Sequence, residues 1–91
     1  MHEIKILVTE DTIDLIIDEI KEMNRLAESI RIHFPGGSEN RQVDYKKNFI
    51  QNTYVLIVRA HVPELFYELG LRCSNIFRRS LENHFAKIKS G

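Results

Sequence analysis

Four histidines, one cysteine and a Pro-Gly-Gly-Ser run are the residues of this chain with the greatest chemical potential, and none has company at a useful spacing. A structural or catalytic zinc needs ligands paired a few residues apart. His33 and His61 would lie at opposite ends of their segments in any antiparallel pairing, and Cys73 and His84 stand eleven residues apart. The pattern therefore predicts no metal and no cofactor. Cys73 has no base beside it in sequence and falls on an apolar helical stripe, which reads as core rather than nucleophile. His84, next to Phe85, reads as a packing or surface residue. The run Pro35–Ser38 lacks the Lys-Ser/Thr that follows a phosphate loop and reads as a turn whose glycines supply positive φ. No catalytic constellation emerges, and the expectation is a protein that is not an enzyme.

The remaining chemistry is electrostatic. Thirteen basic and thirteen acidic residues cancel, but they are unevenly placed. Residues 1–28 carry eight acids against Lys5, Lys21 and Arg25, a balance of −5, and residues 29–91 carry ten bases against five acids, a balance of +5. A basic half can meet phosphate. Arg41, Lys46, Lys47, Arg72, Arg78, Arg79 and Lys87 are the candidates for contact with a nucleic acid. The same charges can instead be solvated, or pair with the acidic half of this chain or of a second copy.

These residues must be positioned by a small fold. Ninety-one residues hold one domain, which buries about 60–65% of the surface its unfolded chain exposes, so a monomer is marginal. A lone cysteine forms no disulfide framework, and no apolar run is long enough to span a bilayer. The expected location is a reducing, cytoplasmic one.

Ile4, Ile6 and Val8 alternate with Lys5, Leu7 and Thr9, as in a strand with one buried face. Thr9, Asp11 and Thr12 offer helix caps. Ile13, Ile16, Ile20, Met23 and Ala27, widened by Ile17, then form the apolar stripe of an amphipathic helix. A second strand runs through "TYVLIVRAHV", with Tyr54, Leu56, Val58, Ala60 and Val62 on one face and Val55, Ile57, Arg59 and His61 on the other. Pro63 suits a first helical turn. Phe66, Leu69, Cys73, Ile76 or Phe77, Leu81, Phe85 and Ile88 continue at helical spacing, interrupted at Gly70, which marks a break or a close backbone approach.

The middle of the chain is ambiguous. Ile30, Ile32 and Phe34 fit both a helix and a strand. A sheet built on Ile30–Phe34 alone would leave a structureless connection over residues 35–53, and loops that long are uncommon. The reading adopted ends the first helix near Glu28 and Ser29 and lets an extended run reach Phe34, because proline disfavours helix in the residue before it. A turn at "PGGSEN" then leads into a strand at Arg41–Tyr45, and an eight-residue turn covers 46–53. The predicted fold is an α+β, two-layer β-α-β-β-α domain, with helices on one face of an antiparallel sheet. That sheet has three strands, or four if Ile30–Phe34 adds an irregular edge.

One face of that sheet would carry Lys5, Leu7, Val55, Ile57, Arg59 and His61. It lacks the aromatics that stack single-stranded RNA, and a two-layer domain has no second helical layer to cover it. Leu7, Val55, Ile57 and Arg59 therefore read as a dimer interface.

The stretches "EIKILVTED", "FPGGSENRQVDY", "YVLIVRA" and "LGLRCSNIFRRSL", in this order, resemble the small dimerising subunit of the KEOPS complex, which makes the threonylcarbamoyladenosine modification of tRNA. The resemblance covers most of the chain but rests on hydrophobic patterns. A first helix longer than the family outline needs and the long stretch "YKKNFIQNT" depart from it. It implies an architectural role, with two copies or paralogues associating through their sheets. Their helices would dock on a larger catalytic subunit, at Phe66, Leu69, Cys73, Ile76 and Phe77.

Overall fold

A computed structural model describes residues 1–33 and 40–76. Its elements are β1 (His2–Val8), α1 (Glu10–His33), β2 (Val43–Ile50), β3 (Thr53–Ala60) and a second helix, α2, over residues 64–76. The strands form one antiparallel sheet in the order β1-β3-β2. This is the predicted α+β fold, with three strands.

Local signals set most boundaries. Thr9 caps α1: its carbonyl accepts the amides of Thr12 (3.2 Å) and Ile13 (3.1 Å), and its hydroxyl bonds that of Thr12 (2.9 Å). Glu10 and Asp11 place negative charge at the positive end of the helix dipole. At the start of α2, the carbonyls of Val62 and Pro63 accept the amides of Leu65 and Phe66. Pro63 thus sits where no amide is required of it.

The core lies between the helices and one face of the sheet. Ile13, Ile16, Ile17, Ile20 and Met23 from α1 meet Val8, Val43, Leu56, Val58 and Ala60 from the strands and Leu65, Leu69 and Cys73 from α2. The helical stripe and the alternation in β3 are those read from the sequence.

The middle of the chain differs from its prediction. Helix α1 does not stop at Glu28 or Ser29 but continues to His33, so Ile30–His33 supply no edge strand. A proline disfavours helix only in the residue directly before it, and His33, where α1 ends, stands two before Pro35 in the sequence. Strand β2 starts two residues later than Arg41 and extends to Ile50. The eight-residue turn is in fact the dipeptide Gln51-Asn52, with φ of 51° and 64°. Two consecutive left-handed residues match the twist of the flanking strands, as in a type I′ hairpin. Phe49 and Tyr54, directly opposed in the register, pack with ring centroids 4.8 Å apart and close this hairpin. Helix α2 passes through Gly70 unbroken, and a Cβ there would meet nothing within 4 Å, so neither a break nor a close approach explains this glycine.

Candidate assembly surfaces

Asn24, on α1, reaches the start of β2. Its Nδ2 donates to the carbonyl of Val43 (2.9 Å) and its Oδ1 accepts the Val43 amide (2.7 Å). Both backbone groups of Val43 therefore point away from β3, which fixes the parity of the sheet, because hydrogen-bonded and non-hydrogen-bonded pairs alternate in antiparallel ladders. Asp44, Lys46, Asn48 and Ile50 exchange bonds with β3, as the two-residue turn at Gln51-Asn52 also demands of Ile50 and Thr53. On the other side, Ala60, Val58, Leu56 and Tyr54 bond His2, Ile4, Ile6 and Val8. The backbone groups of Glu3, Lys5 and Leu7 are left facing outward from the β1 edge.

The two edges of the sheet are managed differently. Besides the Asn24 clasp, β2 carries Lys46 and Lys47, charges of the kind that blunt an edge, and Lys47 also bridges Asp14 on α1 (3.6 Å). Among the described residues no strand pairs with the outer side of β1. An apolar recess of about 110 Å³ lies next to it, lined by Ile4, Ile6, Ile16, Phe66, Leu69 and Cys73.

The helix-free face assembles the residues expected there. In register across the strands, Glu3, Arg59 and Asp44 form one row, Lys5, Ile57 and Lys46 the next, and Leu7, Val55 and Asn48 a third. Leu7 is 75% exposed; Val55 and Ile57 are half-buried. Arg59 is bonded to Glu3 (2.8 Å).

Comparison with protein-family models, curated proteins and solved structures finds no match for this chain.

The candidate docking residues separate. Leu69 and Cys73 are 3% and 1% exposed and belong to the core of this chain, so they offer a partner nothing. Phe66 and Ile76 are partly buried against that core, and Phe77 lies outside the described residues. The apolar side chains that α2 does present are Tyr67 and Leu71, 73% and 60% exposed and one helical turn apart. They sit on the other side of the helix from the single apolar stripe that the spacing in the sequence marks.

Of the candidate nucleic-acid contacts, several already hold carboxylates. Arg41 bonds Glu68 (3.0 Å), Arg72 bonds Glu19 (3.3 Å), and Lys47 holds Asp14. Arg72, Lys47 and Arg59 tie the basic half of the chain to its acidic half. Lys46 stands on the helix-free face beside Ile57; Arg78, Arg79 and Lys87 lie outside the described residues. Among the described residues no cluster of His, Cys, Asp and Glu could hold a metal, and no helix is long and apolar enough to cross a membrane.

Burial pushes the Cys73 thiol up to about 11, with the nearby Glu19 carboxylate adding to the shift and Arg72 opposing it. A protonated, buried thiol is a poor nucleophile. Thiol reagents at neutral pH should label Cys73 only after denaturation, and labelling of the native chain at the rate of an open thiol would refute its placement. Because the folded value lies above the unfolded one, the thiol should also make stability fall as pH rises from about 9 towards about 11.

Proposed function

We propose that this chain is a non-catalytic subunit that pairs with a second copy of itself through the sheets and, as a pair, organises a larger enzyme. The observation that carries this reading is the β1 edge. Its outward backbone groups lie at Glu3, Lys5 and Leu7, and a second β1 run antiparallel beside it can adopt a register centred on Ile4. In that register Glu3 of each copy stands opposite Lys5 of the other, and their backbone groups exchange hydrogen bonds. Opposite charges directly across a ladder are favourable, and this edge supplies its own complement. The product is a six-stranded sheet with the helices of both copies on one side.

The exposed Tyr67 and Leu71 on α2 offer the pair a surface for a larger partner. The KEOPS resemblance makes that partner an ATP-binding catalytic subunit acting on tRNA. Pull-down with the full-length chain and with Leu71→Asp tests this docking: the wild type should retain a larger protein that the variant loses.

The pairing itself is tested by cross-linking. At the centre of the register, Ile4 and its mate form a non-hydrogen-bonded pair with Cα atoms about 4.5 Å apart, within the range of a disulfide. Ile4→Cys should oxidise to a covalent dimer under mild conditions. Lys5→Cys should not, because its mate lies diagonally two residues away. Equal yields from the two variants would exclude this register, and a monomer mass for the wild type at every concentration would exclude self-association.

A further inference from the structure

We propose that the helix-free sheet face of one such pair packs against the same face of another, so that the chain assembles as a dimer of dimers; this rests on the β1-edge pairing proposed above. Area and charge both favour this contact. A strand of seven or eight residues is about 25 Å long, and three strands about 4.8 Å apart present a face of roughly 350 Å². A stable interface takes about 800 Å² from each partner, so one copy offers too little. Edge pairing joins two such faces into one of roughly 700 Å², which comes close to what is needed.

The charges on that face fit a second copy of the same face. Glu3 and Asp44 stand in one row and Lys5 and Lys46 in the next, on the same two strands, with Arg59 and Ile57 between them. A twofold axis in the plane of the interface, lying between these two rows, sets each carboxylate over an ammonium: Glu3 over Lys5 and Asp44 over Lys46. The level of this axis along the strands is that of Ile4, which is also the centre of the edge pairing. The two axes therefore meet at right angles, the condition for a closed assembly of four copies. Ile57, Val55 and Leu7 supply the apolar contacts between the layers, and sheets stacked this way lie about 10 Å apart.

Sedimentation over a range of concentrations decides the matter. The wild-type chain should pass from dimer to tetramer, and salt should dissociate the tetramer before the dimer, because ion pairs dominate the second contact and backbone bonds the first. Lys46→Glu, an exposed substitution that leaves the core untouched, should weaken the dimer–tetramer step roughly tenfold or more while the dimer persists. Combining it with Asp44→Lys restores the complement and should restore the tetramer. Lys5→Pro, at an outward-facing amide where an edge strand tolerates proline, should give a monomer throughout. A wild-type mass that stops at the dimer, or a tetramer unaffected by Lys46→Glu, would overturn the face-to-face contact and leave the edge dimer standing. A tetramer that survives Lys5→Pro would overturn the dependence of one contact on the other. A wild type that is always monomeric would remove both.

Discussion

Replacing Ile20 with alanine is expected to remove about 3–4 kcal/mol of stability, most of what a chain of this size can spare. Ile20 sits in the middle of α1 with no exposed surface, inside the cluster that joins both helices to Leu56 and Val58. Truncation to Ala removes three carbons' worth of buried contact and leaves a cavity that backbone rigidity keeps from closing. Leu15, on the same helix but 37% exposed, should cost less than about 1 kcal/mol on the same substitution. Urea unfolding with a shared slope would report both values as shifts in midpoint. If the two substitutions cost the same, α1 does not bury the face described.

This contrast was legible in the sequence, because the stripe from Ile13 to Ala27 repeats at the helical period over four turns and the strands of β1 and β3 alternate cleanly. The middle of the chain was harder for identifiable reasons. Lys46 and Lys47 made the far end of β2 look like a turn, but an edge strand with one solvated face carries lysines at little cost. Gln51-Asn52 is a left-handed turn without the glycine that usually announces one. At Ile30 the helical and strand spacings coincide, and the helix, already three turns or more long, adds a residue at less cost than a new strand starts. On α2, a step of two residues rotates a side chain by about 200°, so Tyr67 and Leu71 face away from the stripe of Leu69 and Cys73. The strand order is not a local property at all. That β1 is an edge among the described residues, and that its odd-numbered residues turn their backbone groups outward, follows from pairings between residues 46 to 58 positions apart.

Asn24→Ala should cost about 2–4 kcal/mol, a large effect for a polar residue on a helix, because one side chain satisfies two backbone groups. The amide meets the N–H and the C=O of Val43 together, and Val43 is 2% exposed, so water replaces neither bond freely. Asn24→Asp should not rescue the loss, since a carboxylate can accept the Val43 amide but repels its carbonyl. Amide exchange supplies the readout a packing defect would not: the Val43 N–H should lose protection in both variants, while the amides of Leu56 and Val58 change only in proportion to global stability. Equal loss at all three sites would mean that Asn24 contributes packing and not a clasp. The substitution also bears on assembly. With Asn24 in place, β2 is closed at its start and, among the described residues, β1 is the edge left to pair, which in the assembly proposed above limits the sheet to one partner strand and a closed pair. Without it the start of β2 is open as well, with only Lys46 and Lys47 left to guard that edge, and copies joined at both edges grow without closing. Asn24→Ala should therefore shift the chain from discrete oligomers towards open-ended aggregates, an outcome that light scattering separates from simple unfolding by the retention of β-sheet signal.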